Sequence, residues 1–409
     1  MAESFDIVIV GAGMAGATLA GALARHGYGV ALIESHDMQQ GAAPSFDDRA
    51  IALSWGGTRI LDQLGLWAVL RPVAEPIQTI HVSSRGHFGL TQIRAAEERV
   101  PALGYVVTAG ELGRVLMDSL NGFSAVQGCH IFCPAQINAL NNTGGSVVLD
   151  INQQQQRVRL NAKLVIAADG AQSTVRKLLG IGSKEHDYQQ NAIIASITPQ
   201  IDHCGTAYER FTPTGPVALL PMPAYRNMLR CALIWTVPRA HCNDLLRMEE
   251  PVFLSALQKQ FGWRLGVLRA AGKRASYPLL LVDAETRSAE RVVFVGNAAQ
   301  TLHPVAGQGF NLALRDLAAL LDCLLYPETA GDPGDDALLK RYTSIRSGDQ
   351  RRVIHFTDGL VRLFSNDWPV LAPLRAAALT LLDVVPPLRR GLVQMSMGLQ
   401  SALPRIQER

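Results

Sequence analysis

The sequence predicts an α/β fold in which a parallel-sheet domain opens the chain, an antiparallel sheet is inserted into it, and helices follow. The chain begins with a β-α-β unit: an apolar run at 6–10, a run of helical period, and a second apolar run that ends at Glu34. Segments 79–94 and 188–240 are rich in β-branched and aromatic residues with proline and glycine between them, which is typical of antiparallel strands. Beyond a linker at 326–336, helical patterns broken by prolines predict a C-terminal helical region.

Composition and charge exclude several classes of protein. With 409 residues, of which 48% are apolar and 18% charged, the chain is long enough for two domains with a sizeable core, and global disorder is excluded. The formal net charge of +3 is too small to predict a nucleic-acid partner. Residues 339–409 hold eleven Lys or Arg and five Asp or Glu, so this tail is basic. It predicts either contact with an anionic surface or a solvated basic helical region.

The cysteines and the first residues bear on the cellular compartment. The six cysteines form no C-x-x-C pair and no disulfide-like framework, so no metal site is predicted. The chain starts MAESFD, without the basic and apolar regions of a signal peptide. No run reaches the roughly 18 uninterrupted apolar residues of a membrane-spanning helix. We therefore expect a cytoplasmic protein with reduced cysteines.

A glycine motif follows the first predicted strand. Gly11 allows a tight turn, Gly13 lets a pyrophosphate approach the backbone, and Gly16 permits close packing of the helix against the strand. The helix N-terminus supplies free N–H groups and partial positive charge to phosphates. Glu34 lies 18 residues after Gly16, where an acidic group accepts hydrogen bonds from ribose hydroxyls. The bare pattern is weak, but this strand–turn–helix context predicts dinucleotide binding.

Two further glycine-containing motifs end later strands. In "LVIAADGAQSTVRKLLG", Asp169-Gly170 ends a strand before a helix, which by itself also fits an ordinary capped strand–helix junction. In "RVVFVGNAAQTLHPVAGQGFNLALRD", Gly296-Asn297 ends a strand and a Gly-Gln-Gly run at 307–309 precedes a helix. So much bare backbone is expected where backbone N–H groups themselves are the donors to a ligand.

These three motifs, in this order and spacing, resemble the flavoprotein aromatic hydroxylases, the p-hydroxybenzoate-hydroxylase-like group. The stretches "FDDRAIALS", "ERFTPTGPVALLPMP" and "GNAAQTLHPVAGQGFNLALRD" are similar to the ubiquinone-biosynthesis flavin hydroxylases. The wider family has an aspartate and a histidine where this chain has Asn297 and Gln300, whereas the branch that acts on 2-octaprenyl-6-methoxyphenol is similar to this chain at both positions. The resemblance covers residues 5–365.

The resemblance implies an α/β fold with an FAD-binding Rossmann-like domain, an inserted antiparallel β-sheet substrate domain and C-terminal helices. The boundaries it implies are 1–75, 100–183 and 275–330 for a discontinuous FAD-binding domain, 76–99 and 184–274 for the substrate domain, and 337–409 for the C-terminal helical region.

The resemblance also implies a reaction. It implies an FAD-dependent monooxygenase that uses O₂ to hydroxylate a polyprenylated phenol in ubiquinone biosynthesis, converting 2-polyprenyl-6-methoxyphenol to the 1,4-benzoquinol. The chain has no second strand–GxGxxG–helix unit, so NAD(P)H would bind transiently or electrons would come from another donor. Subunits of the biosynthetic complex, or the inner face of the membrane for a peripherally bound protein, are the further partners implied.

The site residues follow from the same resemblance. It implies His303, Pro304 and Arg49 as catalytic residues. The cofactor-binding residues it implies are Gly11, Gly13, Gly16, Glu34, Arg49, Asp169, Gly170, Gly296, Asn297, Gly307, Gln308, Gly309 and Asn311. Arg49 would meet an FAD phosphate or incoming NAD(P)H, and His303 would lie over the flavin ring toward substrate. The alternatives are a surface arginine and a structural histidine.

Physical reasoning adds roles for two of these positions. The resemblance implies that Asn297 lies by the ribityl and phosphate part of FAD, where its amide would donate a hydrogen bond without the repulsion that a carboxylate would bring. The helix that starts near Gly309 presents N–H groups to the pyrimidine edge of the flavin, where the reduced ring is anionic.

Other functions fit parts of the same pattern. A prenyl-lipid flavin reductase shares the superfamily, and O₂-dependent product formation would separate it from a hydroxylase. A non-catalytic FAD-binding subunit of the biosynthetic complex is the alternative of a different class. A flavin halogenase needs W-x-W-x-I-P, and this chain has Leu233 where the first tryptophan of that motif stands.

Overall fold

A computed structural model describes residues 2–37, 49–86, 90–124, 128–304, 307–326, 331–364 and, except 392 and 395, 390–399. Its strands, in chain order, are β1 Glu3–Val10, β2 Val30–Ile33, β3 Ala50–Ser54, β4 Glu75–Ile77, β5 Thr79–Ser84, β6 Leu90–Arg94, β7 Gly104–Thr108, β8 Cys129–Phe132, β9 Ala135–Asn142, β10 Val147–Gln153, β11 Gln156–Ala167, β12 Ser183–Pro199, β13 Thr206–Thr212, β14 Gly215–Tyr225, β15 Met228–Pro238, β16 Leu268–Ala271, β17 Ala275–Ala284, β18 Ser288–Ala289, β19 Val292–Phe294 and β20 Gln300–Thr301.

The helices are mostly short, and two are long. In chain order they are α1 Met14–Arg25, α2 Trp55–Gln63, α3 Trp67–Leu70, α4 Ala109–Ser124, α5 Thr174–Leu178, α6 Arg239–Arg247, α7 Glu250–Phe261, α8 Gln308–Leu325 and α9 Asp336–Phe364, with 3₁₀ turns at Arg71–Val73 and Gly296–Ala298. Within the described residues, no helix combines the length and apolar character needed to cross a bilayer.

The first sheet carries the predicted β-α-β unit. Its strand order is β18-β19-β11-β1-β2-β8, with β9 and β10 added as an antiparallel extension of β11. β1 pairs in parallel with β11 and with β2, and its last four residues are buried. Parallel strands buried on both faces read as continuous apolar runs, which is why this unit was predicted from sequence. The Rossmann-like part of the fold prediction is confirmed.

The second sheet is the inserted one. Its strand order is β20-β17-β12-β15-β14-β13-β5-β6, with β16 on β12. The pairs are antiparallel except that β5 runs parallel to β13. β17 pairs with β12 from Ser183–Ala284 to Ile194–Ala275. Residues 275–284 therefore belong to this second sheet, whereas the expected boundaries put them in the FAD-binding domain. Local sequence does not reveal this, because their pairing partner, β12, lies some 90 residues earlier in the chain.

A small third sheet joins the two larger ones. β7 lies between β3 and β4, and both pairs are antiparallel. Trp55 at the start of α2 donates its backbone N–H to the Leu103 carbonyl at 3.1 Å. This sheet places β3 opposite the N-terminus of α8, and so it forms one wall of the central cavity.

The first part of the C-terminal region is locked to the core by charge. Asp316 on α8 is fully buried and accepts hydrogen bonds from Arg346 Nε at 2.6 Å and Gln350 Nε2 at 3.0 Å. Asp349 accepts from Arg315 Nε at 2.8 Å and from Arg346 Nη2 at 2.7 Å. Two buried arginines thus face two buried aspartates. Removing any one of them would leave a buried charge without its partner and would destabilise the fold. In its described part, α9 therefore packs as a cap on α8.

Candidate active site

A cavity of about 1250 Å³ runs between the first sheet and the second sheet. One end is lined by the loops after β1, β2 and β11 and by the N-terminus of α8. The other end is lined by one face of the second sheet. Ligands of open α/β sheets bind outside the carboxyl ends of the parallel strands, which is where the first end lies.

The first glycine motif has the backbone geometry that its residue types require. Gly11 has φ +100°, and a Cβ there would lie 2.6 Å from the Ala168 carbonyl oxygen. A Cβ on Gly16 would lie 1.9 Å from the Gly11 oxygen. Gly13 caps the N-terminus of α1 and lines the cavity. The loop therefore brings backbone, with no side chain in front of it, to the cavity wall.

Glu34 lies where β2 ends, at the same end of the cavity. Its Oε2 accepts the Ala12 N–H at 2.7 Å and its Oε1 accepts the His36 N–H at 2.9 Å. These two bonds hold the carboxylate in place across the mouth of the glycine loop. A fixed carboxylate with remaining lone pairs is suited to accept hydrogen bonds from ribose hydroxyls.

Asp169 and Gly170 follow β11, as expected from sequence. Asp169 Oδ2 accepts the Val175 N–H at 3.1 Å at the start of α5, while its buried Oδ1 has no hydrogen-bond partner among the described residues. Gly170 has φ +87°. Since Asp169 lines the cavity, an acceptor without a protein donor there fits a ligand hydroxyl.

The third motif forms the wall beside α8. Gly296 has φ +57°, and exposed Asn297 lines the cavity next to it. Gly307 caps α8 in the left-handed region at φ +60°. Gly309 also lines the cavity, and a Cβ there would meet nothing within 4 Å. The N–H groups of the first turn of an 18-residue helix therefore face the cavity with room for a planar, anionic group.

Asn311 and Gln308 differ from the other residues of this motif. Both are almost fully buried. Asn311 uses its amide on the protein itself: Oδ1 accepts the Ser54 N–H at 2.8 Å, and Nδ2 donates to the Ala52 carbonyl at 2.7 Å and the Gly307 carbonyl at 2.8 Å. Gln308 is not among the described residues that line the cavity. Asn311 thus positions β3 against α8, a contact across more than 250 residues that the motif alone does not show.

Arg49 lines the cavity from the start of β3. Its guanidinium lies 4.7 Å over the Tyr277 ring, and its carbonyl accepts the Ala109 N–H at 2.7 Å. A cation held over a ring of β17 stands between the two larger sheets. The structure thus brings Arg49 to the cavity from the residue before β3 of the third sheet.

His303 and Pro304 are separated by the cavity wall. Pro304 lines the cavity, but His303 is not among the lining residues and its side chain is buried. Its ring packs edge-to-face on Tyr188 at 5.4 Å, and burial lowers the pKa of the imidazole to about 4. Tyr188 in turn donates to Asp358 of α9 at 2.9 Å. The resemblance implied a His303 side chain over the flavin ring; in the structure this side chain packs on Tyr188 and is not among the lining residues, so its role in catalysis stays a prediction.

The far end of the cavity has an apolar floor. On β13 and β14 the alternate residues that face it share one side of the sheet, and they are Ala207, Glu209, Phe211, Pro216, Ala218 and Leu220. Val82, Glu209, Ala218 and Ile234 lie side by side across four neighbouring strands. From α9, Phe356 and Leu360 cover this end.

Glu209 is the residue that sequence reasoning missed. It puts a half-buried carboxylate in the middle of the apolar floor, whereas its neighbour Arg210 points to the other face and donates to the Phe261 carbonyl at 2.7 Å. Strict alternation along "AYERF" was the available signal, but it does not say which face of a sheet looks into a cavity.

The described residues fit FAD. Bare backbone faces the cavity in the glycine loop and at the N-terminus of α8, while acceptors for hydroxyls stand at Glu34 and Asp169. The family model described as "FAD binding domain" matches residues 4–357. The chain belongs to this FAD-binding family. It is an FAD-dependent monooxygenase, as predicted from the three motifs.

Comparison with named proteins narrows the family. The chain is 36% identical to the ubiquinone hydroxylase UbiL of Rhodospirillum rubrum over 96% of its own length and 89% of that protein. It is 31% identical to the 3-demethoxyubiquinol 3-hydroxylase of Escherichia coli over 96% and 98%. The fold is also that of p-nitrophenol 4-monooxygenase from Pseudomonas putida, with a TM-score of 0.78, 17% identity and coverage of 98% and 99%. The chain is thus a flavin hydroxylase of the ubiquinone-biosynthesis type.

Proposed function

We propose that this protein hydroxylates 2-polyprenyl-6-methoxyphenol to the 1,4-benzoquinol. One oxygen atom of O₂ enters a ring C–H bond as the new hydroxyl, the other leaves as water with two protons, and the two electrons come from NAD(P)H or another donor. The observation that carries the proposal is the continuity of the cavity: the end that fits FAD opens directly onto an apolar floor large enough for a substituted ring. The relatives named as ubiquinone hydroxylases support the substrate class.

When bound, FAD supplies the two-electron reduction and the activation of O₂. The chain's own part is binding and orientation. Glu34 would accept hydrogen bonds from the adenosine ribose, Asp169 would accept from a hydroxyl of the ribityl chain, and the Asn297 amide would donate toward the pyrophosphate. The first-turn N–H groups from Gly309 onward stabilise negative charge on the ring. Arg49 meets a phosphate or the incoming nicotinamide cofactor.

Glu209 would orient and activate the phenol. A carboxylate that accepts the proton of the phenol hydroxyl raises the electron density of the ring at the carbon para to that hydroxyl. This is the carbon that would attack an electrophilic oxygen. Its neighbours Val82, Ala218 and Ile234 offer no other strong acceptor, so the hydroxyl has one preferred direction on the floor. Apolar lining around it excludes water, which strengthens the bond.

A further part of the proposal concerns partners at the inner face of the membrane or within the biosynthetic complex. The observation that supports this part is the basic tail, residues 339–409. Residues 365–389, which include Arg389, and 400–409 lie outside the described residues, whereas Arg390 is described and exposed. The alternative, a helical cap, has support in α9, where Arg346 is buried against Asp316. Replacing Arg389 and Arg390 with Gln should weaken complex or membrane association and leave FAD content unchanged.

The test is a profile of quinone precursors in a strain that lacks the gene. Accumulation of 2-polyprenyl-6-methoxyphenol, relieved by the intact chain, supports the proposal. Accumulation of a precursor that lacks a different ring hydroxyl changes the assigned position. With the purified protein, ¹⁸O from O₂ in the product supports a hydroxylase. Reduction of a prenyl lipid by the donor in the absence of O₂, with no hydroxylated product, would identify a prenyl-lipid reductase. FAD binding without turnover in the presence of donor and substrate would identify a non-catalytic subunit.

A further inference from the structure

Five large apolar side chains stand exposed at one end of the second sheet. We call them, with the arginines beside them, the sheet-end patch. Their exposed fractions are 69% for Trp263, 52% for Ile201, 51% for Tyr225, 49% for Met228 and 46% for Val267. Single exposed apolar residues are ordinary, but a cluster of this size and kind on one surface marks an interaction site.

Backbone contacts bring the members of the patch together. β14 ends at Tyr225 and β15 starts at Met228, so these two residues face each other across a hairpin turn. Ile201 follows β12 and donates its N–H to the Leu265 carbonyl at 3.0 Å. Gln200 Oε1 accepts the Val267 N–H at 2.9 Å. Since β12 lies between β15 and β16, the hairpin and the loop that holds Trp263 emerge from the same end of the sheet.

The patch is basic. Arg226 and Arg230 lie over the Tyr225 ring at 5.2 and 5.6 Å, and exposed Arg264 follows Trp263. Asp202 is the acidic residue of these same segments. Arg230 Nε donates to Ser196 Oγ of β12 at 3.3 Å, which fixes its guanidinium at this end of the β12–β15 pair. Aromatic rings, aliphatic groups and cations are therefore mixed on one surface.

The residues of the turn between β14 and β15 indicate a function in binding and not in folding. Arg226 has φ +49° and Asn227 has φ +62°. Two-residue hairpin turns with positive φ at both positions favour Asn-Gly or Asp-Gly, because a side chain such as arginine is strained there. Arginine at the first position does not help the turn to form. It does place a cation in the turn at the tip of the β14–β15 hairpin.

We infer that the sheet-end patch docks the protein on an anionic lipid surface. Tryptophan and tyrosine settle at the boundary between lipid head groups and chains, and arginines beside them are attracted by anionic head groups. β14 bears Pro216, Ala218 and Leu220 of the cavity floor before it reaches Tyr225, so one strand leads from the cavity to the patch. This inference rests on the proposed function, because a prenylated phenol resides in lipid and the enzyme must reach it there.

The test measures binding of the FAD-loaded full chain to phosphatidylcholine vesicles with and without roughly 30% phosphatidylglycerol. We expect binding only with the anionic lipid, weakened on the order of tenfold by Trp263→Ser and by roughly fivefold for each of Arg226→Gln and Arg264→Gln. Val69→Ser, at a 54% exposed valine of α3, and Arg157→Gln, at an exposed arginine of β11, are the matched controls and should bind normally.

A second measurement reports the geometry of the contact. Lipids brominated on their chains should quench tryptophan fluorescence of the intact protein, and Trp263→Phe should remove most of that quenching while binding persists. Equal binding by the patch variants and the controls overturns the inference, as does binding of a protein partner at the patch with no affinity for vesicles. The readout needs no turnover, so vesicle binding by a protein that fails to hydroxylate the phenol would contradict the proposed function alone.

Discussion

The side-chain oxygen of Asn311 accepts a hydrogen bond from the backbone N–H of Ser54 at 2.8 Å and so ties the first turn of α8 to the end of β3. Its amide nitrogen makes the two further bonds that keep β3 in place. The helix end that faces the proposed flavin therefore has its position set by a side chain that the cofactor does not need to contact.

Asn311→Ala should lower the free energy of unfolding by roughly 2–4 kcal/mol, because it leaves the buried Ser54 N–H and Ala52 carbonyl without partners. FAD affinity should fall with it, since the α8 N-terminus is no longer fixed. Denaturant unfolding and FAD titration measure the two effects. The exposed Asn141 of β9 gives a control variant, Asn141→Ala, expected to be neutral. If Asn311→Ala loses FAD but keeps full stability, Asn311 binds the cofactor directly.

Glu34→Ala should weaken FAD binding by a factor on the order of ten or more. The carboxylate accepts charge-assisted bonds from ribose hydroxyls, each worth roughly 1.5–3 kcal/mol. Glu34→Gln keeps one acceptor for the Ala12 N–H and should lose less, which separates the ligand effect from collapse of the loop. Fluorescence titration of the apoprotein measures both. An unchanged dissociation constant in Glu34→Ala would remove this residue from the site.

Asn297→Asp should weaken FAD retention by roughly fivefold at low salt, because it sets a carboxylate against the pyrophosphate. Raising the ionic strength should reduce the difference. Asn152→Asp, at an exposed position on β10, adds the same charge away from the cavity and should leave FAD affinity unchanged. Tighter binding by Asn297→Asp would show that the asparagine is not a donor to the phosphates.

Glu209→Gln should lower kcat for phenol hydroxylation by a factor on the order of a hundred, as expected for loss of a positioned base. FAD content and reduction by the donor should stay normal, because the residue lies on the floor of the cavity and not at the flavin end. Glu185→Gln, exposed on β12, is the matched control. An unchanged pH profile and turnover would leave Glu209 without a part in the reaction.

Burial of the His303 imidazole predicts that the stability of the protein depends on pH. Burial lowers the imidazole pKa from 6.5 to about 4, so between these values the unfolded chain binds a proton that the folded protein excludes. The free energy of unfolding should therefore fall as the pH drops from 6.5 toward 4, by up to about 3 kcal/mol. His303→Gln should flatten this dependence, whereas His241→Gln, at an exposed histidine of α6, should not. Equal slopes in all three proteins would contradict burial of a neutral imidazole.

Local sequence was sufficient wherever structure depends on neighbours along the chain. The β-α-β unit was predicted because its strands are continuously apolar and its turn needs Gly11 and Gly16 at fixed spacing. The hairpin between β10 and β11 is equally local, since Gln154 and Gln155 take positive φ between paired Gln153 and Gln156. The cofactor class followed from motifs of this local kind.

Only the tertiary structure decided which side chains face the cavity. His303 and Pro304 are adjacent, yet the wall passes between them, because Tyr188 of a distant strand packs on the imidazole. Glu209 reaches the floor since β13 pairs with β5 and β14 in one register, and a shift of one residue would have presented Arg210 instead. Pattern along the chain determines that a strand has two faces, but pairing between segments far apart determines what each face meets.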